Sequence, residues 1–511
     1  MKIKFNANII KEVINSVSKI MIVISLMQVI PIITSLLYKE YNIGVCFGLG
    51  MCISIIISSI MYLITSKYVS VKSNFGTSLA IASITWVIAS MFSALSLFFC
   101  GDYNTYMDAF FDSMSGFTTS GFSLIQDLDH VSHGVNIWRH LIGYIGGNGI
   151  LVFALAFLIR NGKNSFQMYE AEGKDEKIFP STKHTAKVIW KISTVFLIIG
   201  ILIMTVIGIV IGLNIESAIF HGICNYMSAW STCGFGPMSQ NVLYYHSGIF
   251  EFALMIFMLL GCFNFILHFT VIEKNKKEIF KNIEIRTIVT TILIFIVGIS
   301  AILIQNNIYN GGINYFRKVA FQVISANTGT GSATMYPAQF IYSWKPFAIG
   351  ILVLAMLFGG SMSSTAGGFK ALRISVILKG IIEDIKKMTY SEGTVVTKKI
   401  HHIKDMVLSN ELFKSAATIV ISYIIVFVIT TGFTSMYGHN LELSMFESAS
   451  VVGNVGLTCG IVKPLMPRFL KYWYIFVMWI CRLEFISVFA LISFAIKAIK
   501  KRGVTKIEIE D

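Results

Sequence analysis

The sequence predicts an all-α polytopic membrane protein with two leading transmembrane helices and four pseudo-symmetric helix–pore-loop–helix repeats around one central pore. Three observations predict this fold class: the composition, the number of long apolar segments, and a short glycine-ended motif that recurs four times. Of the 511 residues, 55% are hydrophobic and only 13% are charged, and the mean hydropathy is +0.72. Such a composition is typical of membrane proteins and excludes an ordinary soluble domain.

Ten apolar segments are long enough to cross a membrane, because a hydrocarbon core of about 30 Å requires about 20 helical residues. The predicted spans are residues 20–38, 43–65, 75–99, 141–159, 192–214, 252–272, 287–305, 346–369, 415–437 and 472–496. A basic stretch precedes the first span, but no small-residue cleavage site follows before Tyr38. We therefore expect the first span to be retained rather than removed as a signal peptide.

The basic residues predict the orientation, since Lys and Arg near span ends favour the cytoplasmic side. With both termini cytoplasmic, the inner segments hold 32 of the 41 Lys and Arg residues. Those segments are residues 1–19, 66–74, 160–191, 273–286, 369–414 and 497–511. The net charge of +14 is therefore explained by membrane topology and does not indicate a nucleic-acid partner.

A motif that ends in glycine lies between spans three and four, five and six, seven and eight, and nine and ten. The copies are Thr118, Thr119, Ser120 and Gly121; Ser231, Thr232, Cys233 and Gly234; Thr328, Gly329, Thr330 and Gly331; and Gly453, Asn454, Val455 and Gly456. Aligned on the last glycine, every copy has serine six residues upstream and a carboxyl or amide side chain nine residues upstream. These residues are Ser115, Ser228, Ser325 and Ser450, and Asp112, Asn225, Gln322 and Glu447.

Each motif follows a segment that is too short to span the membrane and long enough for a half-membrane helix. The predicted pore helices are residues 108–117, 216–230, 315–327 and 443–452. Non-helical backbone is tolerated at membrane depth only where protein buries it or where it lines water, so the four loops should converge on one axis. Rings of carbonyl oxygens there replace the water shell of a cation. The alternative is four ordinary Ser/Thr/Gly turns on the outer side.

Span eight ends in a run of small residues, 359–370, that is predicted to break the helix in the inner half of the membrane. Its candidate gate residues are Gly359, Gly360, Ser363, Ser364, Thr365, Gly367 and Gly368. An unwound loop below the third motif suits a movable gate. A flexible connection to the next inner segment is the alternative.

Arg482 is the only basic residue deep inside a predicted span. A charge at such a depth costs about 2.5 to 3.5 kcal/mol and is usually kept for function or paired within the bundle. Glu484 is a poor direct partner, because residues two apart leave a helix on different faces. We predict that Arg482 faces the pore below the four motifs as an electrostatic barrier to cations. A structural salt bridge to another span is the alternative.

These residues together resemble the Trk/Ktr/HKT superfamily of potassium transporters, and the two leading spans resemble its TrkH/TrkG branch. Beyond the four motifs, the resemblance rests on Trp138-Arg139 with residues 145–150, on residues 264–269, on the run through Lys370, and on Arg482-Leu483-Glu484. The third motif departs from the family pattern, which has threonine at Gly329 and phenylalanine at Ser332. That departure bears on the selectivity for potassium over sodium.

The resemblance implies a homodimeric potassium uptake protein of the bacterial inner membrane, with one pore in each protomer. It implies that the four motifs are selectivity filters that bind potassium as the substrate, with no cofactor bound by this chain. It also implies that the loop 359–368 and Arg482 gate the pore. A peripheral, nucleotide-binding cytoplasmic ring of the TrkA type is implied as the regulator, with the inner segments 160–191 and 369–414 as candidate docking surfaces.

The predicted domains are residues 1–74 for the leading helices, then pore repeats at 75–160, 187–272, 286–370 and 413–498, a cytoplasmic connection at 371–412 and a tail at 499–511. Within the cytoplasmic connection, residues 374–406 suit either an amphipathic helix at the inner surface or a loop. A sodium- or proton-coupled secondary transporter of potassium or another solute is the alternative function. An enzyme is not expected, because the spans are almost free of ionisable groups.

Overall fold

The computed structural model describes residues 7–66, 75–150, 152, 155, 181–273, 275–308, 312–337, 339, 343–389, 399–485, 487–489, 491 and 492. Several predicted features therefore lie wholly or partly outside the described residues. These are most of the inner segments 66–74 and 160–191, residues 1–6 of the first inner segment, residues 390–398 of the cytoplasmic connection, the ends of spans four and ten, and the inner segment 497–511 with the tail 499–511.

Three helices precede the four repeats. They are Ala7–Leu26, Val29–Leu37 and Tyr41–Thr65. The first two form one apolar stretch, Ile10–Leu37, so the first span begins earlier than the predicted residue 20. Pro31 has no N–H to donate to the carbonyl four residues before it, which accounts for the interruption at residues 27 and 28.

Each repeat then supplies a long first helix, a short pore helix and a second helix. The first helices are Phe75–Phe99, Thr182–Val210, Ile283–Gln305 and Asn410–Ser435. The pore helices are Tyr106–Phe117, Ile215–Trp230, Gly312–Asn327 and Leu441–Val452. All four pore helices end at the predicted residue, immediately before the motif.

The second helix of every repeat is broken, whereas the sequence predicts such a break only in span eight. Among the described residues, six helices are long and apolar enough to cross a membrane, or seven if the bent pair Gly248–Cys262 and Phe265–Glu273 counts as one. The helices of this pair meet at 99°. The other second helices are His133–Asn148, Pro346–Leu357 and Arg468–Arg482.

Two of these breaks coincide with left-handed backbone. Gly149, with φ +99°, follows His133–Asn148, and Glu484 and Phe485, with φ +51° and +66°, follow Arg468–Arg482. Left-handed backbone does not continue an α-helix. Pro346–Leu357 instead runs directly into the run of small residues 359–370.

The connection between repeats three and four is neither one amphipathic helix nor a plain loop. It contains a helix, Ala371–Lys387, and an antiparallel hairpin of strands Lys399–His402 and Lys404–Val407. A short helix, Glu278–Lys281, precedes repeat three, and a 3₁₀ helix, Asn241–Tyr245, follows the second motif.

The pore helices form the core, and the first helices surround them. On helix Thr182–Val210, Gly200, Met204 and Gly208 are buried at a spacing of four residues. A Cβ atom on Gly200 would lie 1.9 Å from the ring of Tyr226 on the second pore helix, so glycine permits this close approach. On another face of the same helix, Leu202 and Val206 are exposed, as expected of a surface in contact with lipid.

Candidate cation pathway

The four motifs form a closed ring, and they are called filters 1 to 4 in chain order after their predicted role. A Cβ atom added to the last glycine of each filter would lie within about 2 Å of the carbonyl oxygen of the third residue in the next filter. The distances are 2.0 Å from Gly121 to Cys233, 2.0 Å from Gly234 to Thr330, 1.7 Å from Gly331 to Val455, and 2.2 Å from Gly456 to Ser120. The contacts return to filter 1, so the four repeats surround one axis, as predicted.

All four filters share one backbone conformation despite their different sequences. The second and fourth residues of every filter have positive φ. The values are +56° and +75° in filter 1, +50° and +82° in filter 2, +71° and +79° in filter 3, and +51° and +94° in filter 4. Alternating right- and left-handed residues place successive N–H groups on one side of a strand, and hence the carbonyl groups on the other.

Gly329 is the residue at which filter 3 departs from the family pattern, and it occupies this second position. Thr119, Thr232 and Asn454 hold the same left-handed conformation in the other filters. Glycine adopts positive φ at no steric cost. The substitution therefore preserves the backbone geometry of the filter and removes a side chain.

Each filter is tied to its own pore helix by the serine that the alignment found. In every repeat, the backbone N–H of the third filter residue donates to the carbonyl oxygen of that serine. The distances are 2.7 Å to Ser115, 2.9 Å to Ser228, 2.9 Å to Ser325 and 2.8 Å to Ser450. This shared contact uses the backbone carbonyl group, so it ties each filter to its pore helix but does not explain why the residue is serine.

The carboxyl and amide side chains nine residues upstream hold the chain that leaves the filters. Asp112 accepts from the backbone N–H of Leu124 at 2.7 Å, and Glu447 accepts from that of Cys459 at 2.9 Å. Gln322 donates to Thr334 at 3.1 Å. Asn225 has a more distant hydrogen-bond partner along the chain than the other three side chains, because it donates to the hydroxyl of Tyr245. These side chains support the filters.

The run 359–370 forms a folded loop that is held by backbone contacts. The last glycines of the four filters line a cavity, and the loop lies at the opposite end of the filters. The N–H of Gly359 donates to Phe369 O at 2.8 Å, and the N–H of Phe369 donates to Leu357 O at 2.8 Å. A Cβ atom on Gly359 would lie 1.9 Å from the carbonyl oxygen of Gly367. The N–H of Ser361 donates to Cys262 O at 2.9 Å, where the second helix of repeat two ends.

This loop reaches filters 2, 3 and 4. The Thr365 hydroxyl lies 3.0 Å from the hydroxyl of Thr232 in filter 2. A Cβ atom on Gly329 in filter 3 would lie 3.4 Å from the nitrogen of Gly367. A Cβ atom on Gly367 would in turn lie 2.4 Å from Gly453 O in filter 4. Two of these contacts involve the second residue of a filter, and the third involves the first residue of filter 4.

Arg482 connects this loop to filter 1. Its guanidinium donates to the hydroxyl of Thr119 at 3.0 Å, to Thr365 O at 2.6 Å and to Gly146 O at 2.8 Å. Together, the loop and Arg482 contact all four filters. Of the remaining predicted gate residues, Ser363 has positive φ, Ser364 donates to Ser361 O, and Gly360 and Gly368 pack against backbone.

The charges near Arg482 form a compact cluster. Glu484 pairs with Arg373 and lies 3.8 Å from Lys370. The Lys370 ammonium also donates to the carbonyl oxygen of Ala366 in the loop. Breaking one partner of such a buried pair usually costs several kcal/mol, about 3 to 5, because it leaves an uncompensated charge.

A family model described as a cation transport protein, TrkH, matches residues 45–500 of the chain. The chain belongs to the TrkH family. This membership confirms the resemblance seen in the sequence. The TrkH-family match includes all four filters, the loop 359–370 and Arg482.

The individual proteins that this chain resembles are consistent with membership of the TrkH family. The chain is 27% identical over 490 residues to an uncharacterized cation transporter of Methanocaldococcus jannaschii, with 95% of each chain covered. It is 26% identical to the Trk system potassium uptake protein TrkG of Escherichia coli over 85% of this chain and 87% of TrkG. The crystal structure of the potassium transporter TrkH from Vibrio parahaemolyticus has the same fold, with a TM-score of 0.80, 22% identity, and coverage of 94% of this chain and 98% of that one.

Arg139 is a residue of this TrkH-family chain that span prediction overlooked. Its side chain is buried, lies 4.4 Å over the ring of Phe235 and is 3.9 Å from Asp112. It also lines a cavity of about 180 Å³ that includes the last glycine of every filter. Predicted span four begins at residue 141, which assigns Arg139 to an outer loop. The motif Trp138-Arg139, part of the family resemblance, is the sequence signal that points to this residue.

Arg482 is partly buried, and four other basic residues of this TrkH-family chain are buried. They are Arg139, Lys370, Arg373 and Lys471. Lys471 pairs with Asp108 at the start of the first pore helix, which joins repeat four to repeat one. Long-range pairs of this kind cannot be read from sequence spacing, because their partners lie hundreds of residues apart.

Proposed function

We propose that this protein takes up potassium ions through a gated pore lined by the four filters. The closed ring of filters with one alternating backbone conformation is the observation that supports this proposal most strongly. It gives a geometry in which backbone carbonyls from four repeats can replace the water shell of an ion. The relatives named as potassium uptake proteins support potassium as the ion. The proposed ion-binding residues are the sixteen residues of filters 1 to 4.

The loop 359–368 and Arg482 are the proposed gate. Their contacts with all four filters support this role, because a loop in that position obstructs the path of an ion leaving the ring. The Arg482 guanidinium adds an electrostatic barrier to cations at the same level. Opening requires the loop to leave the inner end of the filters.

A path of contacts supports control of this gate by a cytoplasmic regulatory subunit. Glu284, buried at the start of repeat three, accepts a hydrogen bond from the N–H of Met362 in the loop at 2.7 Å. His402 of the hairpin lies 3.6 Å from the same carboxylate. A partner that moved the hairpin would therefore act on the loop through one side chain.

The hairpin is also anchored to the short helix Glu278–Lys281. His401 contacts Asp405 at 2.7 Å and Glu278 at 2.8 Å. The hydrogen bond with Asp405 is the main cause that raises the pKa of His401 above its ordinary value, so positive charge on His401 is favoured between two carboxylates. We propose this region as the docking surface of a nucleotide-binding, TrkA-like ring.

The remaining parts of the proposal concern assembly and location. We propose a homodimer in the bacterial inner membrane, with both termini in the cytoplasm, on the basis of the resemblance and of the distribution of Lys and Arg. Surrounding membrane lipid is then a partner, and nucleic acid and a bound cofactor are not part of the function. The proposal is for a transporter and not for an enzyme.

Uptake of radioactive rubidium into sealed vesicles that hold the purified protein tests the proposed function. With potassium inside, we expect uptake that external potassium blocks far more strongly than sodium or choline does. Uptake that requires sodium or a proton gradient would identify coupled transport instead. Equal block by sodium and potassium in an Arg482→Ala protein, which should be open, would contradict a potassium-selective filter.

Replacing Glu284 with alanine should raise rubidium uptake by the protein alone by about tenfold or more, because the loop loses the acceptor of the Met362 N–H. A hydrogen bond to a charged group contributes about 1.5 to 3 kcal/mol, enough to change the loop equilibrium by more than tenfold. Glu411→Ala, at an exposed site in the first turn of helix Asn410–Ser435, is the matched control. Unchanged uptake in Glu284→Ala would argue against this path to the gate.

A further inference from the structure

A cavity of about 470 Å³ lies at the predicted inner end of repeat two, away from the ion pathway. Its walls are helix Thr182–Val210 and the half-helix Phe265–Glu273, which belongs to the broken second helix. Three basic side chains, one carboxylate, Glu273, and several apolar side chains line it. Those used below are His184, Lys187, Lys191, Val195, Phe196 and Phe269.

The basic and apolar linings occupy different levels along one helix. Lys187 and Lys191 are four residues apart, so both project from neighbouring positions on one face. Val195 and Phe196 continue that face into the membrane, since the helix is apolar from Ile192 to its end at Val210. The positive charges therefore lie at the boundary of the hydrocarbon layer, with an apolar wall on its membrane side.

We propose that this cavity binds one anionic phospholipid, with its phosphate held by Lys187 and Lys191. His184 lies beside these lysines, and an acyl chain would pack against Val195, Phe196 and Phe269. The two lysines outnumber the single carboxylate of the lining, Glu273. This charge selects the occupant, because anionic lipid headgroups lie at the cytoplasmic surface and are attracted by basic pockets between transmembrane helices. The proposal rests on the membrane orientation given under the proposed function.

A single aromatic side chain, that of Trp230, connects the wall of this cavity to filter 2. Phe196 stacks on Trp230 at a centroid distance of 5.0 Å, and Trp230 immediately precedes the first residue of filter 2. The carbonyl oxygen of Trp230 accepts from the Thr365 hydroxyl of the gate loop at 3.2 Å. An acyl chain that packs on Phe196 would therefore restrict the ring of Trp230, the residue whose backbone carbonyl group contacts the loop 359–370.

Native mass spectrometry of the full-length protein in detergent tests the binding site. The probes are phosphatidylglycerol and phosphatidylcholine with the same acyl chains. We expect one tightly retained phosphatidylglycerol per protomer, and an affinity about 30-fold weaker in Lys187→Gln/Lys191→Gln, because each lysine near an anionic surface contributes a factor of about five. Phosphatidylcholine binding should not change.

Lys281→Gln/Lys414→Gln is the matched control, since it removes the same charge from exposed sites on the predicted inner side that lie outside the cavity. Equal weakening in both double variants would overturn the proposal in favour of unspecific attraction. Displacement of the lipid by millimolar inorganic phosphate would overturn it in favour of a soluble anion. If a second copy of the chain occupies the cavity instead, Lys187→Gln/Lys191→Gln would disrupt a dimer without selectively weakening phosphatidylglycerol binding. That result would also overturn the proposal.

Rubidium uptake tests the coupling to filter 2 separately. Wild-type uptake is expected to differ between phosphatidylglycerol and phosphatidylcholine vesicles, and the difference should be lost in Lys187→Gln/Lys191→Gln. Equal uptake in the two vesicle types, with selective lipid binding intact, would overturn the coupling. Failure of the potassium proposal would alter the ion competition but not the ratio of lipid affinities, so the two failures are distinguishable.

Discussion

Replacing Gly121 with serine is expected to abolish most of the preference for potassium over sodium while leaving the protein folded in the membrane. A Cβ atom at this position would lie 2.0 Å from the carbonyl oxygen of Cys233 in filter 2, and the residue has φ +75°. The backbone of filter 1 or filter 2 must therefore move. Since selectivity depends on the placement of coordinating carbonyls, we expect at least a tenfold loss, equivalent to about 1.4 kcal/mol.

Competition of sodium and potassium against rubidium uptake measures this loss. Gly101→Ser is the matched control for backbone strain, because Gly101 has φ +88° and no atom lies within 4 Å of its added Cβ. Selectivity should remain unchanged in Gly101→Ser. If Gly121→Ser kept the wild-type preference, Gly121 would not be a filter residue.

Gly329→Thr provides a contrast within the ring. Gly329 also has positive φ, but its added Cβ would meet its nearest atom only at 3.4 Å. Thr119 and Thr232 adopt the same conformation in filters 1 and 2. We therefore expect Gly329→Thr to conduct cations and to keep its preference for potassium. This result would show that the loss of selectivity in Gly121→Ser comes from the steric clash at the last glycine, and not from changing any filter residue.

Replacing Arg482 with alanine is expected to raise the basal cation flux by about tenfold or more. The side chain donates to Thr119, Thr365 and Gly146, so it joins filter 1 to the loop 359–370, the proposed gate, and also places a positive charge beside the filters. Its removal takes away both the barrier and these charge-assisted hydrogen bonds, each of which is stronger than a neutral one. Rubidium uptake without any partner protein measures the change.

Arg468→Ala is the matched control, because Arg468 is an exposed arginine at the other end of the same helix. Its flux should equal that of the wild type. Arg482→Lys retains the charge but not the fork of donors, so intermediate flux would indicate that both contributions matter. An unchanged flux with a lower melting temperature in Arg482→Ala would instead assign the residue a purely structural role.

The filters illustrate how far sequence patterns reach. The motif, its fixed offset from the pore helix and the end of each pore helix were predictable, because each reflects contacts within about ten residues of chain. The order of contacts around the ring was not, since Gly456 meets Ser120 across more than three hundred residues. The same holds for the pairing of Glu484 with Arg373 and for the contact between Glu284 and the gate loop.

The sequence by itself determined that this is a helical membrane protein with four like-oriented pore loops, because hydrophobic length and local motif spacing are properties of the chain. Only the tertiary structure decided where the second helices of repeats one, two and four break, which buried charges meet, and how the loop 359–370 lies against the filters. The breaks illustrate the physical reason. Apolar composition continues through Gly261 and Cys262, but Gly261 packs against the carbonyl oxygen of Trp230 from another helix, and only folding brings that neighbour into contact.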